Sequence, residues 1–303
     1  MVLHLAADRS TAAWIAPLAI AWGVVITARA GRIADVGPWW LLVAALAVRG
    51  PLIGTPPLLS DDLYRYLWEG HALAAGHDVF TEAPATIAGL DDALRARVNH
   101  PDIPSVYPPL ALAWFRLLAW FGTPAAVQAS TALVDATVPL AIRAATGRAG
   151  PAWLYALHPL PALESACGGH VDVPAWALAA AGVAAWRLGR REAAWAAIVA
   201  GALTKLFPIV LAPVVLRAAS PRRAVGWLVA GALAVGLSLA WVVGPSVPPG
   251  VRAYAGSWAF DGFAYPWLAP VLGEATRPAL VAAAGLVAGA VWWRIRDPGH
   301  AWL

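Results

Sequence analysis

A series of long apolar segments, separated by short basic ones, limits the folds open to this chain. The segments fall at about 12–28, 38–55, 124–145, 150–166, 173–188, 191–217, 223–243 and 277–293. Their lengths approach the roughly 20 residues that a tilted helix needs to cross a bilayer. Only 13% of the residues are charged, about half of the roughly 25% typical of globular chains. The pattern predicts an all-α polytopic membrane protein. Because no internal repeat or disordered tract is evident, we expect one domain over residues 1–303.

Other features exclude several classes of protein. The apolar stretch Thr11 to Thr27 lacks a small-residue cleavage site followed by a soluble domain, so we expect a retained helix. The single cysteine, Cys167, rules out an internal disulfide and a cysteine-based metal cluster. The formal net charge of +4 comes without a basic run interleaved with aromatics, which argues against nucleic acid as a partner.

The arginines indicate which ends of the segments face the cytoplasm, where Lys and Arg are retained. They cluster at Arg29 and Arg32, at Arg143 and Arg148, at Arg187, Arg190 and Arg191, at Arg217, Arg222 and Arg223, and at Arg294 and Arg296. If all five clusters are cytoplasmic, then 56–123, 167–172 and 244–276 face outward from the plasma (inner) membrane.

This topology requires two local departures from simple spans. The segment 107–121 is short, begins with prolines and carries Arg116, so we expect it to lie at the membrane interface rather than cross. The segment 191–217 is basic at both ends, so it must bend, and Lys205 and Pro208 mark the expected bend on the outer side.

An acid pair opens the predicted outer loop, 56–123, in the sequence Ser60-Asp61-Asp62-Leu63-Tyr64-Arg65-Tyr66-Leu67-Trp68-Glu69-Gly70. One interpretation is helix capping, with Ser60 at the N-cap and both acids in the first turn, where the helix dipole favours negative charge. The other is a functional acid site at the water face of the membrane. Helices are expected over 61–76 and 89–98.

Lys205 is the only lysine in the chain and lies in a strongly apolar segment. An ammonium there is costly unless it has a partner or a water-filled cavity. Its side chain could simply snorkel to the interface. Alternatively, Lys205 could bind a phosphate as a point charge at the end of the hairpin.

A short polar loop, Gly169-His170-Val171-Asp172, separates two apolar segments. A His-x-Asp pair can orient an imidazole for hydrogen bonding, although a plain solvated turn explains the loop equally well. Oxygen-ligand cations would suit Asp61, Asp62 and Asp172, but nothing in the sequence fixes their distances. We therefore assign no metal ligands.

Two acids fall within apolar segments, where buried acids pair with a base or mark a pathway. Asp135 is expected to form a structural ion pair, with Arg49 as one possible partner. Glu164 is expected at the edge of a site.

Taken in order, four motifs resemble those of bacterial GT-C glycosyltransferases that use polyprenyl-phosphate sugars, especially their mannosyltransferase-like branch. Eukaryotic lumenal glucosyl- and mannosyltransferases of the dolichol pathway are similar at a greater distance. The similarity spans about residues 38–270. Its motifs are Ser60 to Gly70, Asn99-His100-Pro101-Asp102-Ile103-Pro104-Ser105-Val106-Tyr107-Pro108-Pro109-Leu110, Gly169-His170-Val171-Asp172 and Leu203-Thr204-Lys205-Leu206-Phe207-Pro208.

The resemblance implies a GT-C-type transmembrane helical bundle with interfacial helices in its first outer loop. It implies a catalytic acid at Asp61 or Asp62, and Lys205 and His170 near the donor phosphate. Relatives tend to have Trp-Asp-Gly where this chain has Trp68-Glu69-Gly70, which leaves the sugar and the acceptor open.

These residues together predict a membrane glycosyltransferase with its active site facing outward. A carboxylate, with Asp61 as the first choice, acts as general base on an acceptor hydroxyl, and the sugar (mannose by resemblance) inverts as it leaves the phosphate. Arg65 joins Lys205 and His170 as a third cation for that phosphate. The remaining predicted pocket residues are Tyr64, Trp68, Glu69, Tyr107, Glu164 and Asp172.

The expected partners are a polyprenyl-phosphate sugar donor, a glycan or glycolipid acceptor and the lipid bilayer. No cofactor is implied, and a divalent metal is optional. The competing hypothesis is a multi-pass transporter or lipid flippase that uses Lys205, Asp135 and Glu164 at membrane depth.

Overall fold

A computed structural model describes residue 22 and residues 37–242, 249–250 and 265–294. Within these ranges, helices joined by turns and loops are the regular secondary structure, and no β-strand is present. The predicted all-α class is therefore confirmed for this part of the chain. The predicted span at 12–28, apart from Trp22, and most of the predicted outer segment 244–276 lie outside the described residues.

The helices follow one another closely. In chain order they are α1 (Pro38–Arg49), α2 (Asp62–Ala74), α3 (Asp92–Arg95), α4 (Pro109–Ala119), α5 (Pro124–Asp135), α6 (Val138–Thr146), α7 (Ala149–Leu157), α8 (Pro159–Ala162), α9 (Asp172–Arg187), α10 (Arg191–Thr204), α11 (Ala212–Arg217), α12 (Pro221–Val242), α13 (Tyr265–Leu272) and α14 (Thr276–Arg294). A π-helical turn at Leu163–Cys167 follows α8. Short 3₁₀ turns lie at Gly50–Leu52, Pro84–Thr86, Phe207–Leu211 and Gly273–Ala275.

One stretch of the described chain, Pro124–Thr146, is long and apolar enough to cross a membrane. Shorter apolar helical stretches occupy Pro38–Leu52, Pro109–Ala119 and Phe207–Arg217. The predicted span at 150–166 is wrong as a continuous helix, because α7 ends at Leu157 and the chain continues through α8 into the π-helical turn. A polytopic bundle is thus not confirmed by helix length.

The predicted bend within 191–217 is confirmed. Helix α10 ends at Thr204, and Lys205 follows it in an extended conformation (φ −153°, ψ 140°). The chain then turns through Phe207–Leu211 into α11. Gly201 lies against this turn, where a Cβ atom would be 3.1 Å from the ring of Pro208.

The predicted outer loop folds around a close contact between α2 and α4. A Cβ atom at Gly70 would lie only 2.2 Å from the carbonyl oxygen of Phe115, so glycine is what allows the two backbones to approach. The ring of Phe115 stacks on Tyr66 with centroids 4.6 Å apart. Together with the rest of the loop, this packing buries every residue of α2 from Leu63 to Gly70, on all sides of the helix.

A second core joins the helices on the other side of the acid motif. Arg49 and Asp135 form the predicted ion pair, with Nη2 2.6 Å from Oδ2 and both side chains fully buried. Tyr155 and Ser165 also donate to Asp135, at 2.6 and 3.0 Å. Since every oxygen of this carboxylate has a donor, Asp135 is a structural link between α1, α5, α7 and the π-helical turn.

Candidate active site

The two acids of the motif do not cap α2 with their side chains. The helix begins at Asp62, and Asp61 makes no capping hydrogen bond with its carboxylate. Ser60 Oγ instead accepts from the backbone N–H of Asp62 at 3.2 Å. Both carboxylates meet the side-chain amide of Asn99, which donates to Asp61 Oδ1 at 2.9 Å and to Asp62 Oδ1 in a short hydrogen bond. Capping alone therefore does not explain the pair.

The acids differ in what surrounds them. Asp61 is exposed, and its charge acts on Tyr64, whose hydroxyl is bonded to Arg97. Asp62 is half-buried, and its charge acts on Tyr66, Tyr107 and His170. Asp62 is thus the acid that faces the other predicted site residues.

Tyr66 and Tyr107 form the floor beside Asp62. Their rings meet edge to face with centroids 5.3 Å apart, and their side chains are hydrogen-bonded. Burial raises the pKa of both phenols well above the ordinary value, and the negative charge of Asp62 adds to this effect. Both phenols are therefore neutral donors at physiological pH.

Lys205 reaches the same floor from the end of α10. Its Nζ lies 5.9 Å from the centroid of the Tyr107 ring and donates to Asp172 Oδ2 at 2.9 Å. Asp172 is the first residue of α9, and Tyr66 bonds the backbone of the preceding Val171. Four predicted site residues (Asp62, Tyr107, Asp172 and Lys205) are thus brought together from four separate parts of the sequence.

His170 and Glu164 form a pair beside this cluster. The π-helical turn places the His170 N–H 3.0 Å from the Glu164 carbonyl oxygen, and their side chains meet in a short contact through Nδ1. Burial by itself lowers the pKa of the imidazole. The hydrogen bond and charge of Glu164, with the charges of Asp62 and Asp172, outweigh burial and raise the pKa above the ordinary value.

A cavity of about 420 Å³ opens next to these groups. Its polar side is formed by Glu164, His170 and Asp172, and its apolar side includes Leu160, Trp176 and Phe207. A mixed lining of this kind suits a ligand that carries both a charged group and a sugar or hydrocarbon part. A larger cavity of about 580 Å³ lies at the other end of α2, near Leu73 and Trp120, away from the acids.

Three predicted site residues, Arg65, Trp68 and Glu69, are buried in the core of the loop. Trp68 is fully buried in the core of the loop. Arg65 is buried and donates to Glu69 Oε1 at 2.8 Å and to the carbonyl oxygens of Asn99, His100 and Ile103 at 2.6–3.1 Å. Its guanidinium is therefore engaged in holding the 99–103 segment, not directed at a phosphate.

Glu69 completes this buried network. It accepts from Arg65 and, through Oε2, from Ser105 Oγ at 2.8 Å. Burial raises the pKa of the Glu69 carboxyl, and Arg65 and Ser105 lower it in part. The sequence analysis does not identify Asn99 as a site residue. Its contacts with Asp61 and Asp62 span 38 and 37 positions, and no local sequence pattern predicts contacts at that separation.

Within the described ranges, no three His, Cys, Asp or Glu side chains lie close enough together to hold a metal ion. Two ion pairs lie within the cluster, Lys205 with Asp172 and His170 with Glu164.

Comparison with known protein families places the chain in one of them. The family model described as alpha-(1->6)-mannopyranosyltransferase, N-terminal domain, matches residues 6–221. The chain belongs to this mannosyltransferase family. No curated protein and no solved structure matches it.

Family membership makes the chain a glycosyltransferase and confirms the mannosyltransferase-like resemblance given by the four motifs. The matched region contains the acid pair, Asn99, His170 and Lys205.

Proposed function

We propose that this glycosyltransferase moves mannose from a polyprenyl-phosphate donor to a hydroxyl of a glycan or glycolipid acceptor at the outer face of the membrane. The observation that carries the proposal is the meeting of Asp62 with Lys205 and Asp172 around Tyr66 and Tyr107. An acid and a cation that both lie near the Tyr107 ring are the two groups that sugar transfer from a phosphate requires.

Asp62 is the general base in this scheme, in preference to Asp61. It takes the proton of the acceptor hydroxyl while the hydroxyl oxygen bonds to the anomeric carbon of mannose. The bond from that carbon to the phosphate oxygen breaks, and its electron pair leaves with the phosphate. Attack opposite the leaving group inverts the carbon, so a β-linked donor gives the α-(1→6) product that the family description names.

Lys205 and His170 stabilise the departing phosphate. Phosphate oxygens take the place of Asp172 on the Lys205 ammonium, which is 35% exposed and can turn toward a ligand. The raised pKa of His170 favours an imidazolium beside the same cavity. Preorganised positive charge of this kind stabilises the transition state more than the ground state, because negative charge accumulates as the bond breaks.

Exposed apolar faces support a location in the bilayer. Helix α12 is 22 residues long and exposes Val225, Leu228, Leu233 and Leu237 to more than half of their full area. Such a row along one helix is typical of a surface covered by lipid. Together with the span candidate Pro124–Thr146 and the arginine clusters, it supports a multi-pass chain with its acid loop outside.

The transporter hypothesis is not favoured. It relies on Asp135, Glu164 and Lys205 at membrane depth as groups available to a substrate. Each has a partner, because Asp135 is paired with Arg49, Glu164 with His170 and Lys205 with Asp172.

The test is transfer by the purified protein from radiolabelled polyprenyl-phosphate mannose to an α-(1→6)-mannan oligosaccharide, with a nucleotide-linked mannose as the comparison donor. Asp62→Asn should lower kcat by roughly 10²- to 10⁴-fold. Asp92→Asn is the matched control, because Asp92 also follows an aspartate at a helix start in the same loop and is exposed. Turnover only with the nucleotide sugar, or equal activity of both variants, would reject the proposal.

A further inference from the structure

Asn99 is the only asparagine in the sequence, and its amide lies between the two carboxylates of the acid pair. An amide nitrogen has two N–H groups, and here one is directed to Asp61 and the other to Asp62. Both contacts use the Oδ1 atom of the carboxylate. Either Oδ2 atom is therefore left in a position to receive a proton.

The backbone around Asn99 is held in an unusual conformation. His100 has a φ of 47°, the one positive φ among the described residues other than glycine. Such a conformation persists where the surroundings determine it, and it is common at functional sites. Here Arg65 donates to the carbonyl oxygens of Asn99, His100 and Ile103, which fixes the turn from below.

The Arg65 side chain that holds this turn is itself fixed in the core. Arg65 is paired with Glu69, and Glu69 also accepts from Ser105 at the end of the same segment. All three side chains are almost fully buried. A buried hydrogen-bond network therefore fixes the turn that contains Asn99, and this turn places the Asn99 amide against Asp61 and Asp62.

We propose that Asn99 is the positioning residue of the transfer reaction, which bridges the acid pair and aims the general base at the acceptor hydroxyl. This inference rests on the proposed function. Two N–H groups on adjacent carboxylates stabilise their negative charges, which would otherwise repel each other. They also fix the rotation of each carboxylate, so that Oδ2 is presented to the acceptor.

The first test uses three replacements of Asn99 and a pH–rate profile. Asn99→Leu keeps the size and removes both donors, Asn99→Asp replaces the donors with a third carboxylate, and Asn99→Gln keeps the amide. The acid limb of the kcat profile should move to higher pH by roughly one unit in Asn99→Leu, and further in Asn99→Asp. The donor KM should change less than twofold. In Asn99→Gln, the acid limb should lie close to its wild-type pH.

A lower kcat with an unchanged pH limb in Asn99→Leu would overturn the inference, because it would show a purely structural role. If Asn99→Leu does not fold, Asn99→Asp carries the same test, since the side chain is only half-buried and polar groups are tolerated there.

The second test does not depend on activity. A water-soluble carbodiimide with an amine probe modifies protonated carboxyl groups, and peptide mass spectrometry reports the labelling of Asp61 and Asp62 against pH. Labelling should extend to higher pH in Asn99→Leu, whereas Asp91, which caps α3 through the Leu94 N–H, should not change. If Asn99→Leu shifts the labelling of the acid pair but the wild-type protein transfers no mannose, the positioning role is retained and the proposed function is rejected. If the wild-type protein transfers mannose but Asn99→Leu does not shift the labelling, the proposed function is retained and the positioning role is rejected.

Discussion

Lys205 Nζ lies 2.9 Å from Asp172 Oδ2, and this contact joins the end of α10 to the start of α9. Both side chains are partly exposed, at 35% and 48%. The cation proposed to bind the donor phosphate is therefore neutralised by a carboxylate that a phosphate can replace.

Asp172→Asn should strengthen donor binding. Removing the competing carboxylate leaves the Lys205 charge available to the phosphate, and partly exposed pairs of this kind are worth up to about 1 kcal/mol. The donor KM should fall by up to roughly fivefold, whereas Lys205→Ala should raise it roughly tenfold or more. Initial-rate measurements over donor concentration separate the two. An increase of KM in Asp172→Asn would mean that Asp172 orients the lysine instead.

Arg65→Lys should lower kcat by about tenfold or more with little change in donor KM. A lysine keeps the charge but cannot donate to Glu69 and three carbonyl oxygens at once, so the turn that carries Asn99 loses its support. Arg95→Lys is the control, because Arg95 binds Ile87 and Asp92 in the same loop and remains outside the site. A large rise in donor KM would instead indicate that Arg65 binds the donor phosphate.

Stability should depend on pH through His170. Its pKa is raised in the folded chain, so the stabilisation from Glu164 is fully present below the unfolded pKa of about 6.5 and is lost as pH rises through the folded value. Glu164→Gln should therefore cost most stability near pH 6 and progressively less above it. Thermal unfolding between pH 6 and 9 measures this. Glu192→Gln, at a surface pair with Arg223, should show no such trend.

Breaking the Arg49–Asp135 pair should destabilise the fold strongly. Arg49→Met leaves a buried, uncompensated carboxylate, which costs about 3–5 kcal/mol, whereas the double change Arg49→Met and Asp135→Leu should recover most of the loss. Arg223→Met at the exposed pair should change stability by less than about 0.5 kcal/mol. Unfolding midpoints in detergent compare the three. No recovery in the double variant would mean that Tyr155 and Ser165 depend on the carboxylate themselves.

Gly70→Ala should destabilise the acid loop. The added Cβ would meet the Phe115 carbonyl oxygen at 2.2 Å, so α2 and α4 must separate, at a cost of about 1–3 kcal/mol. Gly50→Ala is matched to it, because a Cβ there meets nothing within 4 Å. Equal unfolding temperatures for the two variants would contradict the close packing of the helices.

Local and charge patterns were sufficient to predict much of this architecture. The bend at Lys205 followed from basic residues at both ends of 191–217, and the Arg49–Asp135 pair followed from the cost of charges in apolar segments. The short α4 followed from its prolines and Arg116. The bend and the short helix depend on residues that are close together in sequence. The ion pair depends on the free-energy cost of a charge in an apolar segment, which an oppositely charged partner relieves.

The site could be predicted only in part, because its decisive contacts are long-range. Arg65 was expected at a phosphate, since an arginine beside two acids on a helix has the charge for it. The fold turns it inward, to carbonyl oxygens 34 to 38 residues away. Glu164 meets His170 because a π-helical turn adds one residue to the helix, and apolar periodicity does not reveal such a turn.

The uniqueness of Lys205 has a practical consequence. Because it is the only lysine, its ammonium is the one side-chain amine in the sequence. Acylation followed by peptide mass spectrometry, which separates Lys205 from the α-amino group of the chain, therefore reports on this position without mutagenesis. The rate of acylation measures how often Lys205 leaves Asp172, and protection by a bound phosphate would turn a single native side chain into a direct readout of donor occupancy.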